Sequence, residues 1–146
     1  MTEPVDAKPT ASKAKRILVV DDEPNILRLI TRSLERHGYE VETAENGLVA
    51  LAKIQASKSD LLITDVTMPE MDGLELIQAL RSDADTADLL ILLMVFKAPD
   101  NINPDPAPLI QRGASGALWQ PFNPSQLVRV VRETLNRQDL NEDRNA

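Results

Sequence analysis

Five short β-rich runs, at residues 17–20, 40–44, 61–64, 90–95 and 116–119, recur every twenty to thirty positions along the chain. This rhythm constrains the fold more than any other feature. Most of the runs are continuously apolar, as in Ile17-Leu18-Val19-Val20 and Leu61-Leu62-Ile63. A strand with one wet face alternates apolar and polar residues, whereas a strand apolar throughout is covered on both faces, as in a parallel sheet between helical layers.

The intervening segments supply the helices. Ile26, Ile30 and Leu34 recur at a four-residue spacing behind Pro24, a favoured first helical residue, and Gly38 is a stop. Asn46 is placed to cap a shorter helix through Ala56. Asp72 with Glu75 forms a capping-box start to a helix carrying Leu74, Ile77 and Leu80. Asn123, Pro124 and Gln126 open the last helix, whose Leu127, Val131 and Leu135 share one face. Strands alternating with helices over short connections predict an α/β fold, an open, doubly wound, five-stranded parallel sheet with right-handed crossovers. Ligands of such sheets sit at the carboxyl ends of the strands.

The fourth crossover departs from this plan. Pro99, Pro104, Pro106 and Pro108 crowd the segment where a helix should run, and an interior proline costs a helix about 3 kcal/mol. The expectation there is a stub of helix over 108–112. Residues 1–14 and 138–146 are polar and have little to bury, so both are expected to be flexible tails around a domain at 15–137.

Composition removes several classes of function. The chain has no cysteine, which excludes disulfides, thiolate metal sites and a cysteine nucleophile. Its net charge of −7 argues against a nucleic-acid partner, because phosphate backbones are bound by clustered Lys and Arg. The longest apolar run, residues 89–96, is too short to span a bilayer, and the first fifteen residues lack the apolar segment of a signal peptide. The expectation is a cytoplasmic protein with neither a nucleic-acid nor a membrane partner.

The chemistry concentrates in acids. Asp21, Asp22 and Glu23 follow the first strand and Asp65 follows the third, so an open parallel sheet gathers three or four carboxylates at its ligand edge. Oxygen ligands of this kind suit a hard divalent ion such as Mg²⁺. A carboxylate beside a bound cation can also attack phosphorus to give an aspartyl phosphate. The plainer alternative is that these acids only cap the following helix, as Asp22 would at Pro24.

Three segments extend the reading: Ile17-Leu18-Val19-Val20-Asp21-Asp22-Glu23-Pro24, then Asp65-Val66-Thr67-Met68-Pro69-Glu70-Met71-Asp72-Gly73, then Gly113-Ala114-Ser115-Gly116 ahead of Pro121-Phe122. With these, the chain resembles the receiver domain of bacterial two-component response regulators over about residues 15–137, the single-domain chemotaxis regulator being the simplest member. The resemblance implies a flavodoxin-like sheet of strand order 2-1-3-4-5. It implies that Asp65 is the phosphoacceptor and that Asp21, Asp22, Asp65 and the backbone carbonyl of Thr67 hold Mg²⁺. A histidine kinase or phosphotransfer protein would donate the phosphoryl group, and a downstream protein would read it. No enzymatic role is implied beyond Mg²⁺-dependent self-phosphorylation and autodephosphorylation. The lone His37, just before Gly38, is read as a helix-terminal residue beside the helix dipole and not as a phosphodonor.

Three positions depart from the family. Phe96 stands where receivers carry a hydroxyl that binds the phosphoryl oxygen. Gln120 precedes Pro121 where the family has lysine, and Ala117 replaces the aromatic residue that swings inward on activation. Lys97, following Phe96 where the family keeps a small residue, is open to two readings, as a loop lysine extending into solvent or as a cation that pairs with the carboxylates in place of the lost ammonium. Trp119 is open to two readings, as core or as a binding anchor.

The leading expectation is therefore a stand-alone atypical receiver. The alternative is a pseudo-receiver, a protein-binding module in which phosphate plays no part. The retained carboxylates favour the first and the lost Lys and Thr favour the second. A phosphatase of the haloacid-dehalogenase type would need a second Asp where Thr67 stands.

Overall fold

The protein is described by a computed structural model covering residues 14–66, 71–96 and 105–145, with side chains through 137. In chain order the elements are β1 (Arg16–Val20), α1 (Pro24–Glu35), β2 (Glu40–Ala44), α2 (Gly47–Ala56), β3 (Leu61–Asp65), α3 (Gly73–Arg81), β4 (Leu90–Phe96), α4 (Ala107–Gln111), β5 (Gly116–Gln120) and α5 (Pro124–Asn145). All strand pairings are parallel. The sheet order is β2-β1-β3-β4-β5, which is the 2-1-3-4-5 arrangement.

The continuously apolar strands serve two cores. On one face Ile17, Val19, Ile63, Met94 and Leu118 pack with Ile30 and Leu34 of α1 and with Leu127, Val131 and Leu135 of α5. On the other, Leu18, Val20, Leu62, Ile91 and Leu93 meet Ala50 and Ile54 of α2 and Leu76, Ile77 and Leu80 of α3. Successive side chains of a strand point to opposite faces, so each central strand contributes to both layers and needs no polar side.

The helix starts follow the local signals. Asn46 accepts a hydrogen bond from the Val49 amide at 2.8 Å. In α3 the Glu75 amide donates to Asp72 at 2.9 Å and the Asp72 amide donates to Glu75 at 3.0 Å. Asn123 and Gln126 make the same reciprocal pair at 2.8 and 2.9 Å. Each pair satisfies amides that a helix start would otherwise leave without partners. Gly38 has φ +90°, the left-handed turn that ends α1, and His37 Nδ1 lies 2.9 Å from the Ser33 carbonyl in the last turn.

Two expectations are corrected. Glu23, not Asp22, caps α1, accepting from the Asn25 amide at 3.1 Å. Asp22 is thereby left exposed at the strand end. The backbone of α5 is helical through Asn145, so the C-terminal segment expected as a tail from 138 continues the helix. The run from Gln138 to Asn145 contains neither Gly nor Pro, so nothing in its chemistry stops a helix already nucleated. The expected N-terminal tail lies, apart from residue 14, outside the described residues. The helical stub in the fourth crossover is α4, five residues long and one residue upstream of its expected place.

Candidate functional site

At the carboxyl edge of the sheet the chain leaves β1 at Val20 and β3 at Asp65. These strands are neighbours, with Val20 opposite Thr64. Asp21 prolongs β1 by one step, its amide donating to the Ala44 carbonyl at 3.1 Å. It is 3% exposed. Its carboxylate accepts from the Glu23 amide at 2.9 Å, which fixes the turn into α1. Asp22 is exposed and Asp65 half-buried. One carboxylate oxygen from each of the three lies within 4.8 Å of the others. The sequence expectation that the first and third strand ends bring these acids together is thus met in space, and Glu23 is diverted to capping.

Two glycines hold this edge together. A Cβ on Gly73 would overlap the Asp65 carbonyl oxygen and sit 3.1 Å from Val66 Cα. The Gly73 amide donates to the Val66 carbonyl at 2.8 Å, so α3 starts directly against the end of β3. A Cβ on Gly47 would likewise overlap the Met71 carbonyl oxygen, which brings the start of α2 onto the same loop. Gly73 belongs to the motif quoted above, but its contact with the acidic strand end is not visible in sequence. Gly47 carried no signal beyond following a capping Asn.

Burial makes the cluster electrostatically tense. Removal from water pushes the Asp21 carboxyl from the ordinary value of 3.8 up to about 6; its hydrogen bond from the Glu23 amide opposes the rise, and the Asp65 and Asp22 charges add to it. A cation at this edge would relieve both causes. Ligand oxygens of octahedral Mg²⁺ lie about 2.1 Å from the metal and hence roughly 3–4 Å from one another. Three carboxylate oxygens within 4.8 Å fit that set after a small contraction. Thr67 and Lys97 lie outside the described residues.

Phe96 and Gln120 stand at the same edge, whereas Ala117 lies near the start of β5. Phe96 ends β4 and is 74% exposed. Gln120 ends β5, is 7% exposed and has an Oε1 that is sealed from solvent with no hydrogen-bond partner among the described residues. Ala117 and Trp119 are half-buried on β5, the outermost strand on that side of the sheet, and Trp119 stands opposite Val95. Among the described residues no helix is long and apolar enough to cross a membrane.

Residues 17–132 match the response regulator receiver domain family. The chain is 36% identical over 126 residues to the alkaline phosphatase synthesis transcriptional regulatory protein PhoP of Bacillus subtilis, covering 86% of this chain and 50% of that protein. It is 39% identical over 131 residues to the response regulator MprA of Mycobacterium ulcerans, covering 90% of this chain and 54% of that protein. It therefore spans about half the length of these curated relatives. Among solved structures, the chemotaxis response regulator CheY4 of Vibrio cholerae superposes with a TM-score of 0.75 at 34% identity, covering 83% of this chain and 98% of that one.

Proposed function

Because this chain belongs to the response regulator receiver family of two-component signalling, we propose that it accepts a phosphoryl group on Asp65 in a cytoplasmic phosphorelay. Asp21, Asp22 and Asp65, with the Thr67 carbonyl, are the residues that would hold Mg²⁺. The observation that carries this reading is the convergence of three carboxylate oxygens from two adjacent strand ends within 4.8 Å. The role of Asp22 gains support from Glu23, which takes over the capping of α1 and leaves Asp22 available at the edge.

The donor is a phosphohistidine of a kinase or phosphotransfer protein. An Asp65 oxygen attacks phosphorus in line, the N–P bond breaks, and its electron pair returns to the donor imidazole, which takes up a proton. Mg²⁺ would supply the positive charge that lets anionic carboxylates and phosphoryl oxygens approach. Asp21 contributes a preorganised oxygen, because its other interaction, with the Glu23 amide, fixes its carboxylate. If Lys97 pairs with Asp65, it shields the acid, and Lys97→Ala then raises Mg²⁺ affinity or the phosphorylation rate while lowering stability without metal.

The test is incubation with Mg²⁺ and acetyl phosphate, read by intact mass. The wild type gains one phosphoryl group and Asp65→Asn gains none; equal gain in both sinks the assignment. A second reading, a protein-binding module indifferent to phosphate, draws support from the exposed Phe96 and the neutral Gln120. It requires that the wild type neither gain the mass nor bind beryllofluoride.

A further inference from the structure

At the amino edge of the sheet, opposite the carboxylate cluster, a groove of about 660 Å³ opens between the α2–β3 and α3–β4 connections. Ligand pockets commonly enclose about 300–1,000 Å³, so a groove of this size admits a short stretch of peptide. Ile54 and Leu89 give it apolar surface, Ser57, Lys58 and Asp60 line one wall, and Asp83, Asp85 and Asp88 line the other. The three acids of that second wall are exposed. Asp83 accepts from the Asp85 amide at 3.0 Å and its carbonyl accepts from the Thr86 amide at 3.1 Å, so a turn holds the acidic wall in place. Four carboxylates thus line the groove beside one ammonium, that of Lys58, and the Arg81 guanidinium feels the charge of Asp88. A surplus of negative charge remains. Among the described residues only Asp21, Asp22 and Asp65 gather closely enough to hold a metal ion, so the groove fits an extended cationic segment and not a single ion.

The chain enters the sheet at the rim of this groove. The Arg16 amide donates to the Asp60 carboxylate at 2.8 Å and the Asp60 amide donates to the Arg16 carbonyl at 2.8 Å. The Arg16 guanidinium donates to the Ser57 hydroxyl and, at 3.2 Å, to the Lys58 carbonyl. Residues 1–13 precede this point and lie outside the described residues. The stretch nearest to it, Ala7-Lys8-Pro9-Thr10-Ala11-Ser12-Lys13, carries two lysines and no acid. β3 lies between β1 and β4, so the entry point and the far wall are two strand spacings apart, about 10 Å. From residue 14 back to Lys8 an extended chain spans up to about 20 Å, which brings Lys8 within reach of Asp83, Asp85 and Asp88 and keeps Lys13 close to the near wall. The other end of the chain has the wrong charge for this groove, since residues 138–146 carry three acids and one arginine.

We propose that residues 7–13 of this chain occupy the groove, their lysine ammonium groups meeting the carboxylates of Asp83, Asp85 and Asp88, so that the amino-terminal segment straps the starts of β3 and β4. Tethering at Arg16 makes the contact intramolecular, with an effective concentration on the order of millimolar. Exposed ion pairs are weak singly and screened by salt, so raised ionic strength or a more basic partner segment releases the strap. It lies at the edge opposite Asp65 and is independent of phosphate there.

The test compares ¹⁵N-resolved amide spectra of the full chain with those of the double variant Lys8→Glu, Lys13→Glu, at low salt and at about 0.5 M NaCl. At low salt the amides of residues 57–60 and 83–89 are expected to differ between the two proteins, although they are distant in sequence from both substitutions. At high salt that difference is expected to shrink at least twofold. Carbodiimide coupling, which joins an ammonium and a carboxylate in contact as an amide with loss of water, gives a second readout. It should link Lys8 or Lys13 to Asp83, Asp85 or Asp88 in the wild type, with a yield that falls about threefold or more at high salt. Spectra that coincide over both segments at low salt would overturn the proposal. Cross-links from these lysines spread evenly over the surface acids would overturn it as well. A spectral difference or a cross-link that grows with protein concentration would give the groove to a second copy of the chain, and the intramolecular strap would fall.

Discussion

Phe96 and Gln120 are Cα partners at the last rung of the ladder between β4 and β5. The two positions that the sequence comparison with the receiver pattern singles out at the ends of β4 and β5 are therefore neighbours on one rung. A single patch of the sheet carries a phenyl ring in solvent beside a buried neutral amide. The carboxylates across β3 and β1 are untouched.

A ligand shifts a conformational population only through contacts that differ between the states, and Phe96 and Ala117 offer a phosphoryl group nothing to pull. Beryllofluoride with Mg²⁺ is expected to move backbone amide resonances beside Asp65 while leaving those of α4 and β5 nearly unchanged. Shifts spread along β4, α4 and β5 in a ¹⁵N-resolved spectrum would contradict this.

The Asp21 carboxyl is held near 6 against an ordinary value of 3.8, so the folded protein keeps its proton more tightly than the unfolded chain does. Its contribution to stability is fully present below about pH 4, declines as pH rises to about 6, and is flat above. Asp21→Asn keeps the acceptor for the Glu23 amide and removes the charge. At pH 7 without metal it should be more stable than the wild type by about 1–3 kcal/mol, with the decline between pH 4 and 6 diminished in urea melts. The same variant should bind Mg²⁺ poorly.

Mg²⁺ is held by few protein oxygens and keeps several waters. Removing the exposed Asp22 carboxylate costs the fold little, since Glu23 does the capping. Asp22→Ala is expected to weaken Mg²⁺ by about tenfold or more with a melting temperature close to that of the wild type. Calorimetric titration showing wild-type affinity would move the ion elsewhere.

Gly73 has no room for a Cβ against the Asp65 carbonyl. Both neighbours there are backbone, so Gly73→Ala must displace either the start of α3 or the end of β3. A loss of about 1–3 kcal/mol is expected, together with weaker Mg²⁺ binding because Asp65 moves with its strand. Gly38→Ala is a useful contrast, since a Cβ there meets nothing within 4 Å and only the backbone at φ +90° resists it. It should lower stability while leaving Mg²⁺ affinity near the wild-type value.

The periodicity of the chain by itself determined the layer plan. Leu18 and Val19 are both buried, on opposite faces, because the strand that carries them is apolar throughout. The caps at Asn46, Asp72 and Asn123 were equally legible, since a cap is a contact between residues three apart. The carboxylate edge was legible as well, since acids directly after two strands must meet wherever those strands are neighbours. What only the tertiary structure decided depends on approach between segments distant in sequence. Glu23 rather than Asp22 turns into α1. Gly73 lies against Asp65. β4 and β5 each run one residue further than their apolar runs suggest, taking in Phe96 and Gln120. That pairing makes Phe96 and Gln120 neighbours on one face of the sheet, the face that Met94 and Leu118 join. In a period-two structure a single residue of register determines which face a side chain joins, and that register is fixed by pairing with neighbouring strands, which no local pattern records.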